Sequence, residues 1–136
     1  MRYLIDTNIF IRVIFDGDLF PVVREIVDDR ENIIYVSSES IKEFIHLVQN
    51  KKIVFKKDVH LLNLLDFTEL SLGFNIKYVA KEHLKKLSQL DLVDGHNYPS
   101  DRLIIAQAIT EKIPLISSDS KFPKYRKQGL DFIPNY

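Results

Sequence analysis

Four acidic residues stand where they could act together on one substrate. Asp6 follows a short apolar run, Glu43 lies early in an amphipathic pattern, Asp101 opens a strongly apolar helical segment, and Asp119 ends the segment PLISSD. Clustered carboxylates repel each other, by about 4 kcal/mol for a pair 4 Å apart at an effective dielectric of 20, and need an opposing charge. Oxygen ligands without cysteine or paired histidine favour Mg²⁺ or Mn²⁺ over zinc. Such an ion activates water and clamps a phosphodiester, which indicates hydrolytic phosphate chemistry.

Each acid also has a purely structural interpretation. Asp6 could cap the helix that follows it, and Ser40-x-x-Glu43 matches a capping box. Asp101 suits the positive end of a helix dipole, and Asp119 suits a turn. A structural role need not exclude a chemical one, so both interpretations stay open for every acid.

The elements that must position these acids alternate along the chain. The patterns predict strands over 2–5, 32–36, 74–76, 115–117 and 131–133, and helices over 9–15, 19–27, 41–48 with Ser40 as N-cap, 59–68, 79–90 and 102–112. Strands separated by helices predict an α/β fold, a three-layer α/β/α sandwich around a mostly parallel sheet of four to five strands. Ligand sites in such sheets lie beyond the carboxyl ends of the strands, where all four acids are expected to meet.

Length and composition set the class of protein. The 136 residues fit one domain, 1–136, and a hydrophobic content of 46% predicts a globular chain. The absence of cysteine excludes disulfides, thiolate nucleophiles and Cys-ligated zinc. Because the sequence has no long apolar stretch and no signal-peptide pattern, we expect a cytoplasmic protein that does not associate with a membrane. The 19 basic and 19 acidic residues cancel, so attraction to nucleic acid must come from local patches.

The predicted helix over 59–68 has apolar residues pointing in nearly every direction. Such a helix is either buried all round inside its own domain or leaves one side for a partner chain. Both interpretations stay open.

Four segments in order along the chain carry a family resemblance: DTN after a short strand, SSESIKEF, DRLIIAQA and LISSDSKF. Together they resemble the signature of PIN-domain ribonucleases, in particular the VapC-type toxins of toxin-antitoxin pairs. The resemblance implies a Rossmann-like sandwich with Mg²⁺- or Mn²⁺-dependent endoribonuclease activity, held inactive by a cognate antitoxin. The predicted partners are an RNA substrate, that antitoxin and a second copy of the chain.

The resemblance also implies roles for individual residues. Asp6, Glu43, Asp101 and Asp119 would be the catalytic and metal-binding acids, Asn8 would orient the pocket, and the Ser117 hydroxyl would hold an acid or a water where the family usually has threonine. The segment HNYPSDR departs from the family's histidine-x-DPFDR by having a tyrosine and a serine, although it keeps Asp101.

A basic segment follows Asp119. It contains Lys121, Lys124, Arg126 and Lys127, with Phe122 and Tyr125 between them. These cations could grip RNA phosphates while an aromatic ring stacks on an unpaired base, or they could form a solvated helix face. Among the histidines only His96, before a proline-containing turn, is expected near the site.

Two hypotheses from different classes remain. In the leading one, Asp6, Asp101 and Asp119, assisted by Glu43, bind Mg²⁺ and activate water for in-line attack on RNA. The alternative is a binding module: a receiver-like phosphorylatable domain or a PIN fold that binds RNA without cleaving it. A haloacid-dehalogenase-type phosphatase needs a second aspartate two residues after the first, and position 8 is Asn.

Overall fold

A computed structural model describes residues 1–55 and 60–136 of the chain. Within these residues one sheet contains β1 (Arg2–Ile5), β2 (Ile33–Ser37), β3 (Asn75–Lys77), β4 (Leu115–Ser117) and β5 (Phe132–Pro134). The helices are α1 (Thr7–Ile14), α2 (Pro21–Asp28), α3 (Ser38–Gln49), the one-turn α4 (Leu64–Asp66), α5 (Lys81–Gln89) and α6 (Pro99–Glu111). Two 3-10 helices (Leu61–Asn63 and Phe122–Gln128) and a π-helical segment (Phe67–Ser71) complete the described elements. None of these helices has the length and apolar character needed to cross a bilayer.

The sheet is parallel, with the strand order β3-β2-β1-β4-β5. The chain winds outward from β1 to β3 in one direction and from β4 to β5 in the other. The order therefore reverses between β1 and β4, which pair through Leu4 with Leu115 and Ile5 with Ile116. This reversal opens a crevice at the carboxyl ends of β1 and β4, the usual place for a ligand in an open α/β sheet.

Helices cover both faces of the sheet, which confirms the predicted three-layer α/β/α class. On one face Tyr3 and Ile5 pack with apolar residues of α1 and α3, and on the other Leu4 packs with residues of α6. Because β1 is buried on both faces, it needs the continuous apolar run YLI rather than an alternating pattern.

The beginning of α3 differs from the prediction. Ser37 is the N-cap, and its hydroxyl accepts a hydrogen bond from the Glu39 amide at 3.0 Å. Ser40 is buried inside the helix, so the predicted Ser40 cap and its capping box with Glu43 are wrong. The physical reason is that β2 runs to Ser37 and the helix follows without a loop, which puts Glu43 in the second turn instead of the first.

The segment predicted as a helix over 59–68 is helical from Leu61 onward, but it is not one regular α-helix. Val59 lies outside the described residues, and the rest forms a 3-10 helix, one α-helical turn and the start of the π-helical segment. Leu64 is fully buried, whereas Leu62 is 92% and Leu65 is 40% exposed. Leu61 also packs against the core, in part, so one face of this short segment is covered while Leu62 and Leu65 point to solvent. The segment is therefore not buried all round.

Candidate metal centre

Four carboxylates meet at the sheet edge where β1 and β4 end. Asp6 follows β1 directly, Glu43 comes from the second turn of α3, Asp101 from the first turn of α6, and Asp119 from the turn after β4. All four line one pocket of about 260 Å³. The structure thus brings together the acids that the sequence placed at this edge, from segments more than a hundred positions apart.

Asp6 is both a helix cap and a wall of the pocket. One carboxylate oxygen, Oδ1, accepts a hydrogen bond from the Thr7 amide at 2.8 Å at the start of α1. The other, Oδ2, accepts from the Ser117 hydroxyl at 2.7 Å and from the Asn8 side-chain amide at 3.1 Å. The residue is only 3% exposed. Its structural and chemical interpretations are therefore compatible.

Asn8 and Ser117 connect the beginning of α1 to the end of β4. The Asn8 amide nitrogen lies 3.3 Å from the Ser117 hydroxyl, and its oxygen accepts from the Ser118 amide at 3.2 Å. The Asp119 amide donates to the same Ser117 hydroxyl at 3.0 Å. Ser117 consequently holds Asp6 and the backbone of Asp119 at once, which fixes the two acids relative to each other.

The pocket is electrostatically costly. Burial raises the pKa of Asp6 to about 7; the charges of Asp101 and Glu43 add to the rise, while the hydrogen bonds from Ser117 and Thr7 oppose it. Burial likewise raises the pKa of Asp101, helped by the charges of Glu43 and Asp119 and opposed by His96. A bound cation would offset this repulsion.

A tighter group of possible metal ligands includes a histidine. Within the described part of the chain, one ligand atom each from His96, Asp101 and Asp119 lie within 4.8 Å of one another. His96 Nε2 is 3.3 Å from Asp101 Oδ2. A donor set dominated by carboxylate oxygens fits a hard divalent ion, and the negative charge of the pocket fits its sign.

Two contacts near the site went unrecognised in the sequence. The Thr7 hydroxyl donates to Ser40 at 2.9 Å, joining α1 to α3 so that Glu43 faces Asp6. The Tyr125 hydroxyl lies 2.7 Å from His96 Nδ1. The hydroxyl residue directly after Asp6 was the available signal for the first contact, whereas nothing in the sequence pairs Tyr125 with His96.

The basic segment lies on the 3-10 helix Phe122–Gln128 and the residue before it, and its four cations are exposed: Lys121, Lys124, Arg126 and Lys127. The Lys121 ammonium donates to the Gly95 carbonyl at 2.7 Å, and that of Lys124 donates to the Asp94 carbonyl at 3.2 Å. These two lysines therefore hold the loop before α6, and RNA binding by the segment stays a prediction.

The aromatic residues of the same segment have a different environment from the one expected. Phe122 and Tyr125 are fully buried in the core between the sheet and α6. The prediction that one of these rings stacks on an RNA base is therefore wrong, because both rings already pack inside the protein.

A family model and similar solved structures both agree with the fold described above. The sequence model of the PIN domain matches residues 3–128. Similar solved structures include VapBC2 from Rickettsia felis bound to a promoter DNA fragment (21% identity, 98% of both chains, TM-score 0.71) and DNA-bound VapBC from Salmonella typhimurium (15% identity, 100% of this chain and 99% of that one, TM-score 0.71). A toxin-antitoxin complex from Klebsiella pneumoniae is also similar (20% identity, 98% of both chains, TM-score 0.64). No curated protein sequence matches the chain. Likeness to solved structures at these identities shows the fold alone.

Proposed function

Because the chain belongs to the PIN-domain family, whose members are generally nucleases, we propose that it is a Mg²⁺- or Mn²⁺-dependent endoribonuclease. The observation that supports this most is the convergence of Asp6, Glu43, Asp101 and Asp119 on one pocket at the crevice between β1 and β4. Four elements each contribute one carboxylate, and helix capping alone does not require them to share a pocket.

In the proposed mechanism Asp6, Asp101 and Asp119 hold the metal, which when bound lowers the pKa of a water and neutralises charge on the phosphate. Ser117 and Asn8 donate to Asp6 Oδ2 and orient its carboxylate, and the Ser117 hydrogen bond favours the ionised form against burial. Glu43, half-buried at the pocket wall, accepts the proton of the attacking water. The water oxygen bonds to phosphorus and the bond to the 3′ oxygen breaks. The departing 3′ oxygen takes a proton from solvent, which leaves a 5′-phosphate and a 3′-hydroxyl.

Substituting Glu43→Gln tests this role because it removes one negative charge and the proton acceptor while preserving side-chain size. We expect RNA cleavage in Mg²⁺ to fall by about 100-fold, the low end of general acid-base contributions. Cleavage of structured RNA is measured with Mg²⁺, with Mn²⁺ and with EDTA, and the product ends are identified. The exposed acid Glu69, changed to Gln, is the matched control and should cleave like the wild type.

Three results would contradict the proposal. Undiminished cleavage by Glu43→Gln would remove Glu43 from the chemistry. A 2′,3′-cyclic phosphate product would exclude attack by water. RNA binding by the wild type without cleavage in either metal would favour the non-catalytic alternative.

The receiver-like alternative fits the topology poorly. Receivers have the strand order 2-1-3-4-5, whereas this sheet has β3-β2-β1-β4-β5. The order seen here is instead that of the first five strands of the Rossmann arrangement. Incubation with acetyl phosphate should therefore leave the protein unmodified.

We further propose that the chain is the toxin of a toxin-antitoxin pair, with a cognate antitoxin as its protein partner and a second copy of itself in a homodimer. The support is the similarity in fold, over almost the whole length of the chain, to one chain in each of the VapBC structures. A small DNA-binding protein encoded in the neighbouring reading frame is the expected antitoxin.

A further inference from the structure

A buried histidine links the pocket to the core. His96 is only 2% exposed. Its ring packs edge-on against Phe122 and Tyr125, with centroid separations of 5.4 and 5.3 Å. One ring nitrogen, Nδ1, is 2.7 Å from the Tyr125 hydroxyl, and the other, Nε2, is 3.3 Å from Asp101 Oδ2. The ring is thus fixed in orientation, and both of its nitrogens have a partner.

The partners of the two ring nitrogens indicate which of them carries the proton. The Tyr125 hydroxyl can donate either to His96 Nδ1 at 2.7 Å or to the His96 carbonyl at 3.4 Å. The first is a normal O–H hydrogen-bond length and the second is long. An ionised Asp101 carboxylate can only accept, so Nε2, the ring nitrogen that faces it, carries the proton and donates to Asp101. Nδ1 is then unprotonated and accepts from the Tyr125 hydroxyl.

The backbone that carries His96 is held from the same side. Lys124 and Lys121 donate to the carbonyls of Asp94 and Gly95, and Tyr125 contacts His96, so three successive loop residues are bound by one short segment. Gly95 has φ +76°, a conformation that permits this tight path and that other residues rarely adopt. The loop is consequently a support for His96 and not a free connection.

We propose that His96 is a positioning residue that orients the Asp101 carboxylate for the divalent metal, and that Tyr125 sets the tautomer of its ring. The inference rests on the proposed function, since it assigns Asp101 to a metal. A donor to Asp101 Oδ2 restricts rotation of the carboxylate before metal binds. Outer partners of this kind typically change metal affinity or activity by about 10- to 100-fold when they are lost.

A pair of substitutions separates orientation from simple packing. The side-chain amide of Gln reaches the place of Nε2 and can still donate to Asp101, whereas that of Asn reaches only the place of Nδ1. We expect His96→Asn to weaken Mn²⁺ binding by about 10- to 100-fold, and His96→Gln to stay close to the wild type. Binding is measured by calorimetry, with the thermal midpoint of each metal-free protein as the folding readout.

Equal losses of Mn²⁺ affinity in His96→Asn and His96→Gln, or no loss in either, would overturn the proposal. Tyr125→Phe provides a second variant if the substitutions at position 96 prevent folding. It should lower Mn²⁺ affinity and allow the Nδ1–H tautomer of His96 to appear, and an unchanged affinity and tautomer would count against the role of Tyr125.

Nitrogen-15 NMR of the metal-free wild type tests the hydrogen-bond chain without activity or metal. A proton on His96 Nε2 is expected, and an unprotonated Nε2 would overturn the inference. Failure of the wild type to bind Mn²⁺ would instead remove the proposed metal function, and the NMR result distinguishes the two failures.

Discussion

At the scale of one residue, the buried carboxylate of Asp6 lowers the stability of the fold while it serves the site. Its carboxylate receives hydrogen bonds from Thr7, Asn8 and Ser117, yet burial and neighbouring acids still raise its pKa to about 7. A cap alone could be served by an exposed serine or threonine at no such cost. A strongly perturbed acid in a cleft is typical of functional sites, so this conflict is itself a sign of function.

Removing the Ser117 hydroxyl should destabilise the protein in a pH-dependent way. Ser117→Ala deletes a donor to Asp6, and a hydrogen bond to a charged group contributes about 1.5–3 kcal/mol. That bond lowers the folded-state pKa of Asp6, so its loss raises the pKa further and costs most where Asp6 is ionised in the wild type, above about pH 7. Urea unfolding of the metal-free protein at pH 5.5 and 8.5 measures the difference.

The exposed Ser120, changed to Ala, is the matched control and should alter the free energy of unfolding little at either pH. A cost of Ser117→Ala that is the same at pH 5.5 and 8.5 would show that the hydroxyl does not act through the Asp6 charge.

At the scale of elements, α6 connects the pocket to the far edge of the sheet. Asp101 lies in its first turn, and Glu111 is its last residue. Glu111 Oε2 is 2.9 Å from His83 Nε2 in α5, and Oε1 is 3.3 Å from the Lys77 ammonium at the end of β3. Anchoring at this end helps to set the position of the whole helix, including the turn that carries Asp101.

Glu111→Gln should weaken that anchor at neutral pH and less so in acid. The hydrogen bond from His83 lowers the pKa of Glu111, with Lys77 adding to the effect and burial opposing it. A lowered folded-state pKa contributes stability above the unfolded value of 4.5, and this contribution is lost as the pH falls through the folded pKa. Because the side chain is partly exposed, we expect a loss below about 1 kcal/mol at pH 7.

Thermal unfolding at pH 7 and pH 3 compares the wild type with Glu111→Gln. The exposed acid Glu82 on α5, changed to Gln, is the control for a general change in charge. A difference between the wild type and Glu111→Gln that persists undiminished at pH 3 would contradict the charge-based explanation.

At the scale of the whole molecule, the sheet order decides where chemistry can occur. Strands β1 and β4 are neighbours although about 110 positions separate them, and their ends form the crevice that the acids line. The basic segment adjoins the same edge, with Lys121 and Lys124 bound to the loop before α6. The basic segment and the pocket therefore lie on the same side of the molecule, and binding of the proposed RNA substrate there stays a prediction.

Expression of the wild type in a bacterial host should arrest growth if the chain is a toxin. Asp101→Asn, which removes one acid of the pocket, should relieve the arrest, and so should co-expression of the neighbouring reading frame. Growth curves measure the arrest, and immunoblots check that the wild type and the variant are present in equal amounts. Normal growth with abundant, RNA-cleaving wild type would contradict the toxin role while leaving the nuclease proposal standing.

Local sequence patterns were sufficient to predict the limits of an element where neighbouring residues alone decide them. The limits of β1 and β4 match the predicted 2–5 and 115–117, because short apolar runs bounded by polar residues mark strands buried on both faces. The pattern was insufficient at α3, where several serines in SSES could each cap a helix and the length of β2 selected Ser37. The pattern also failed to predict burial over 59–68, because apolar residues alone do not show which face of a segment packs against the core.

The sequence by itself determined the fold class, the acids and their common edge, because strand ends, helix starts and hydrophobic periodicity are local properties. The family resemblance already implied that Ser117 holds an acid or a water. The tertiary structure alone decided that this acid is Asp6 and that Tyr125 and Asp101 hold His96 between them. Such contacts join residues far apart in the chain, and their distances depend on sheet order and packing, which no spacing along the sequence encodes.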